Sequence, residues 1–121
     1  MRKSFFSSSL VAVALAGFSC GAAQAVEIPY SAAVGGVQVT GTVEMDDSSG
    51  DANSASGAAS GVVTGKFALD GANNQSEMTG AGVKLIVTFS HASQRLSAHL
   101  DSCPASPDSC TAGSLVLLWE K

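Results

Sequence analysis

The chain has 121 residues, which corresponds to a single domain, and only 13% of them are charged. Residues 26–121 contain ten acidic residues and four Lys or Arg residues, which gives a formal net charge of −6, and they contain no basic cluster. This composition predicts that the protein binds neither nucleic acid nor an anionic membrane surface.

Residues 1–25 have the three parts of a cleavable secretion signal peptide. A positive start at Arg2 and Lys3 precedes a short apolar stretch at 10–18, and Ala23-Gln24-Ala25 forms a small-x-small cleavage site. The apolar stretch has about nine residues, whereas a membrane-spanning helix needs roughly 20. We expect cleavage after Ala25, no transmembrane segment in the mature chain, and a periplasmic or secreted protein. The Ala-rich signal is typical of bacteria.

Cys20 raises an alternative to simple cleavage, because bacterial lipoproteins carry a lipid on a cysteine that follows the apolar stretch. Here Cys20 follows Gly17-Phe18-Ser19, so the bulky Phe18 stands where a small residue belongs. This departure favours removal of Cys20 with the signal, and the sequence leaves lipidation open.

The mature chain, residues 26–121, shows the alternation of apolar and polar residues that is typical of β-strands. Successive strand side chains point to opposite faces of a sheet, so each alternating segment predicts a strand with one buried face. Pro29 cannot donate to a hydrogen-bond ladder and therefore predicts an edge strand. The apolar run 115–119 is more typical of a strand covered on both faces. The predicted strands are 26–30, 37–45, 63–69, 83–90, 95–101 and 115–119.

These segments predict an all-β domain, a small antiparallel sandwich or barrel of about six short strands. An α+β domain with one short helix, in the 71–82 or 91–97 region, is the alternative. Two connections, near 46–61 and 71–82, are rich in Gly, Ser, Ala, Asn and Asp and predict flexible loops. Loops beyond roughly 12–15 residues are either functional or disordered, and the sequence does not decide between them.

The first of these loops contains a cluster of oxygen-bearing side chains that is compatible with calcium. The cluster comprises Asp46, Asp47, Asp51 and Asn53. Counting from Asp51, however, the fifth position is Ala55, so the EF-hand pattern is absent. A solvated acidic loop is the favoured interpretation.

His99 and Asp101 share one face of a predicted strand, close enough for a hydrogen bond or a shared metal ion. A transition-metal site needs a third ligand, for which His91 is the obvious candidate. The polar outer face of a strand explains the same residues with no ligand, and this is the favoured interpretation. No G-x-S-x-G motif is present, since 57–61 has its serine one place late. We therefore predict no catalytic, cofactor-binding or metal-binding residue.

Cys103 and Cys110 are an even pair in an oxidising compartment, which predicts a disulfide. Predicted strands lie on both sides of 103–110, so the bond would close a hairpin tip that contains two prolines. Such a tip either staples the fold or, because it is ordered in advance, presents a recognition surface.

The sequence thus predicts a small acidic, non-enzymatic β-domain that binds an unidentified partner, a protein or an envelope component, through its loops. No cofactor is expected. The alternative is a structural or surface-assembly subunit that associates through the exposed edge strand 26–30.

Overall fold

The computed structural model describes residues 25–121, which form nine β-strands and no helix. The strands are β1 (Ala25–Val34), β2 (Val37–Asp46), β3 (Ala52–Ser60), β4 (Gly65–Asp70), β5 (Asn73–Gly80), β6 (Val83–Ser90), β7 (Arg95–Ser106), β8 (Ser109–Thr111) and β9 (Val116–Glu120). The predicted all-β class is confirmed, and the α+β alternative is wrong. The predicted signal peptide and Cys20 lie outside the described residues, except that Ala25 begins β1.

The strands form two antiparallel sheets, consistent with a small β-sandwich. The first sheet has the order β1-β2-β3-β4, and the second has the order β5-β6-β7-β8, with β9 also paired to β7. β1 is an edge strand, as Pro29 predicted. No helix within residues 25–121 has the length and apolar character needed to cross a membrane.

The β1–β2 hairpin illustrates how the sequence determines the first sheet. Val34 pairs with Val37, and the two residues between them, Gly35 and Gly36, have φ values of 57° and 89°. Two consecutive positive φ values are what a two-residue hairpin turn of type I′ requires, and glycine adopts them without steric cost. After the turn, Val37, Val39 and Val43 on the inner face of β2 are fully buried.

One cross-strand row of the first sheet has glycine in its two central strands, at Gly41 and Gly57. Tyr30 and Phe67 are the outer members of the same row. The aromatic rings occupy the space above the glycines: a Cβ atom on Gly57 would lie 2.9 Å from Phe67 Cζ. The Tyr30 hydroxyl donates a hydrogen bond to Ser56 O at 3.1 Å, and burial raises the pKa of Tyr30 well above its usual value. Tyr30 therefore ties three strands together.

Within residues 25–121, the core lies between the two sheets and is built from hydrophobic side chains. Phe89, Leu85 and Leu96 are the largest fully buried residues, and all three belong to the second sheet. The first sheet contributes mainly valines and alanines. Larger side chains from the second sheet pack against smaller ones from the first, and such complementary sizes are typical of close-packed cores. The buried cluster comprises Tyr30, Val34, Val37, Val39, Val43, Ala52, Ala55, Ala59, Val63, Phe67, Leu69, Leu85, Val87, Phe89, Leu96, Ala98 and Leu118.

The two predicted flexible loops are the main difference between sequence and structure. The segment 46–61 contains β3, a central strand of the first sheet, and the segment 71–82 contains β5, an edge strand of the second. Ala52, Ala55 and Ala59 are buried on the inner face of β3. Alanine, serine and glycine have weak strand preference, but pairing with neighbours on both sides outweighs it. The prediction of long loops is therefore wrong for β3 and β5.

The C-terminal run also differs from its prediction as a strand covered on both faces. Leu118 is buried, but Leu115 and Leu117 are 67% and 49% exposed. β9 pairs with β7, and the register of this pairing shifts between Leu96 and Ser97 of β7. A bulge of this type adds one residue to β9 and interrupts the alternation of its side chains. Leu118 can therefore lie in the core although the residues next to it are also apolar.

Candidate functional site

The structure contains the predicted Cys103–Cys110 disulfide at the neck of the β7–β8 hairpin. We call residues 103–110 the tip. β7 runs into the tip as far as Ser106, and β8 leaves it at Ser109, so only two residues form the turn. The tip is thus a hairpin end closed by a covalent bond, as the spacing of the cysteines indicated.

The tip is fastened to the neighbouring β5–β6 hairpin as well as to itself. Cys103 N donates to Gly82 O at 2.7 Å, and Lys84 Nζ donates to Pro107 O at 3.1 Å. Lys84 belongs to β6, where its side chain is only 20% exposed, and Glu77 of β5 lies 3.9 Å from its ammonium group. Lys84 therefore holds the turn of the tip against the second sheet.

A cleft of about 210 Å³ separates the tip from the end of the β5–β6 hairpin. Thr79, Gly80 and residues 82–84 line one side, and residues 103–107 line the other. Pro104, Ala105 and Pro107 give the second side an apolar surface, while Thr79 and Lys84 offer polar groups opposite it. The cleft thus combines apolar and polar surface, and ligand sites are usually clefts that contain both.

The base of the tip is held by a polar contact that the sequence analysis singled out. His99 Nδ1 lies 2.6 Å from Asp101 Oδ1, which also accepts a hydrogen bond from Gly113 N at 3.2 Å. Burial raises the pKa of Asp101, but the hydrogen bonds from His99 and Gly113 and the charge of Lys84 outweigh it, so the pKa lies below its usual value. The ionised Asp101 therefore anchors the chain that returns from the tip.

The two histidines are not brought together. His91 lies in the turn between β6 and β7, where its N donates to Ala72 O at 2.6 Å. It lines a separate, more open cleft with Asn53, Asp70 and Gly71. Within residues 25–121, no group of three or more His, Cys, Asp or Glu side chains is arranged to hold a metal ion.

The acidic cluster of the sequence analysis forms a turn and an ion pair. Asp46 Oδ1 accepts hydrogen bonds from Ser48 N at 2.8 Å, Ser48 Oγ at 2.6 Å and Ser49 N at 3.2 Å. The side-chain hydrogen bond from Ser48 contributes most to lowering the pKa of Asp46, and the two backbone bonds add to it. Asp51 Oδ1 lies 3.3 Å from Lys121 Nζ. Asp46 therefore stabilises a turn and Asp51 forms an ion pair, so both carboxylates have a structural role.

Lys84 and the glycines of the β5–β6 hairpin end are the site residues that the sequence analysis missed. Lys84 stood in a predicted strand as an ordinary polar-face residue, and nothing local marked its contact with Pro107, 23 positions away. The ladder between β6 and β7 creates that contact, because it pairs Lys84 with Asp101 at the base of the tip. Comparison with protein-family models, curated proteins and solved structures finds no match for this chain.

Proposed function

We propose that this protein is a non-enzymatic binding domain that acts in the periplasm or outside the cell. In this proposal it recognises a protein or an envelope component through the tip and the adjacent cleft. The observation that carries the proposal is that the tip is exposed and yet fastened by the disulfide, by Cys103 N to Gly82 O and by Lys84 to Pro107.

The fastening matters because binding costs free energy whenever it orders a mobile segment. A flexible loop loses rotational freedom in each residue that a partner immobilises, about 0.5–1.5 kcal/mol for a side chain with many rotamers. Pro104 and Pro107 already restrict φ inside the ring. The tip therefore presents its surface with little further ordering to be done, and an apolar partner side chain fits the cleft beside it.

A binding role is favoured over an enzymatic one by the surroundings of His99. The Nδ1 atom of His99 faces the carboxylate of Asp101, and this orientation would suit His99 as a general base. A general base also needs a nucleophile or substrate group within hydrogen-bonding reach. Within the described part of the chain, no hydroxyl or thiol group is hydrogen-bonded to the His99 ring. Anchoring of the tip by Asp101 explains the pair without catalysis.

The proposal is tested by placing a bulky, charged side chain in the cleft. Ala105 is exposed on the cleft wall, so Ala105→Arg blocks the cleft without entering the core. Ala92 is exposed in the turn between β6 and β7, at the other end of these strands, and Ala92→Arg is the matched control. We expect exported wild-type protein and A92R to capture the same component from envelope extract, and A105R to lose it.

Unchanged capture by A105R, with folding verified by circular dichroism, would contradict the proposal. Equal loss in both variants would also contradict it, because the recognition surface would then not be confined to the cleft end of the molecule.

A structural or assembly subunit is the second candidate, favoured by the position of β1 at a sheet edge. An added strand would pair with the free side of β1, where Ala25, Val26 and Glu27 are exposed. Pro29 removes one donor from that strand, which weakens such pairing. Light scattering separates the two candidates: concentration-dependent assembly that a proline at Glu27 abolishes would support the subunit, and a monomer at all concentrations would exclude it.

A further inference from the structure

The two sulfur-bearing residues of the tip differ sharply in accessibility. Cys103, in the last part of β7, is only 7% exposed. Cys110 is exposed, as are all three residues of β8. A thiol that approaches from solvent therefore meets Cys110 first, and thiol–disulfide exchange depends on which sulfur can be reached.

We propose that the Cys103–Cys110 bond is a thiol-exchange site of the folded protein, attacked at Cys110 Sγ by an exported dithiol. Opening this bond removes the covalent clamp of the tip while the two-sheet sandwich stays folded. The site is thus a redox-sensitive modification site and not only a staple.

The chemistry is ordinary thiol–disulfide exchange. A thiolate of the dithiol bonds to Cys110 Sγ as the Cys103–Cys110 bond breaks, and Cys103 leaves as a thiolate that takes a proton from water. The second thiol of the dithiol then displaces Cys110 Sγ, which also becomes a protonated thiol. The protein gains two electrons and two protons, and the dithiol ends as a disulfide.

The fold is arranged so that opening the ring disturbs little else. None of the buried core cluster lies between residues 99 and 117, so the tip contributes no side chain to it. β8 contributes only two register pairs to the second sheet, Ser102 with Thr111 and Ser106 with Ser109. The contact of Asp101 with Gly113 lies outside the ring and keeps the returning chain in place when the bond is open.

Opening the ring would alter the cleft, because residues 103–107 form one of its walls. Any resulting change in partner binding rests on the proposed function. The exchange site itself does not, and it is tested without a partner.

The first test compares two single-cysteine variants, each also carrying Cys20→Ser. In C103S the only thiol is Cys110, and in C110S the only thiol is Cys103. Folded protein is treated with a neutral maleimide, and the rates are normalised to those in denaturant. We expect Cys110 to react at least tenfold faster than Cys103. Equal rates, or a faster Cys103, would overturn the proposal.

The second test uses the wild-type exported protein and glutathione, with freed thiols blocked by iodoacetamide. Peptide mapping should find glutathione on Cys110 and the alkyl group on Cys103. Protein fully reduced by dithiothreitol should still unfold in one cooperative transition. Glutathione on Cys103, reduction only after denaturant is added, or loss of the transition on reduction would each overturn the proposal.

Discussion

Replacing Cys103 and Cys110 by serine removes the covalent ring and measures how far the tip contributes to stability. In the chain-entropy model, closing a ring of about eight residues contributes roughly 2.5 kcal/mol. Pro104 and Pro107 lower this figure, because they already restrict the open chain. Serine at the buried position 103 acts in the opposite direction, since burying a hydroxyl costs about 1–3 kcal/mol. We expect a net loss of about 2–3 kcal/mol.

Urea denaturation measures this loss, and Trp119 provides the signal. It is the only tryptophan of the chain, and it is partly buried against the core. The midpoint should fall while the slope of free energy against urea changes little, because a ring of about eight residues restricts only a small part of the unfolded chain. A loss above about 5 kcal/mol, or a transition that is no longer cooperative, would contradict this prediction. The tip would then be part of the folding core.

Three further predictions use the same denaturation assay. Gly57→Ala should lower the free energy of unfolding by about 1–3 kcal/mol, because the new Cβ would lie 2.5 Å from Thr40 O and 2.9 Å from Phe67 Cζ. Tyr30→Phe loses one hydrogen bond and should lower it by about 0.5–1.5 kcal/mol. A larger loss for Tyr30→Phe than for Gly57→Ala would contradict the tight packing described at Gly57. Asp46 and Asp101 have lowered pKa values, so their contribution is present above the ordinary carboxyl pKa of about 4 and is lost as pH falls below it. Asp101→Asn should therefore lose stability at pH 7 and less at pH 3, and an equal loss at both would exclude an ionic role. Deleting residues 52–59 removes most of β3 and should abolish cooperative unfolding, and near-wild-type stability would show that the segment is dispensable.

The elements that the sequence predicted well are those whose local pattern agrees with their environment. β2 alternates apolar and polar residues, and β6 does so except at Ile86. The inner faces of both strands are largely buried, as the alternation implies. The disulfide was predicted from an even pair of cysteines in an exported chain, with predicted strands on both sides of the pair. β3 was missed because Ala52, Ala55 and Ala59 are too small to signal a buried face, although two neighbouring strands enclose them.

The candidate site was predicted only in part, for a related reason. The tip and the contact between His99 and Asp101 are local in sequence, and both were named from spacing. The cleft requires residues 79–84 to meet residues 103–107, and that meeting depends on the register between β6 and β7. No pattern within either segment contains this register, so the cleft and the role of Lys84 could not be predicted.

The most direct test of the central claim, that the tip and its cleft form the recognition surface, is site-specific photo-cross-linking in the exporting cells. A photoreactive side chain is placed at Ala105 on the cleft wall or, as control, at Ala92 in the turn at the other end of β6. We expect a discrete cross-linked partner from position 105 and none from position 92. A partner that cross-links from position 92 and not from position 105 would contradict it.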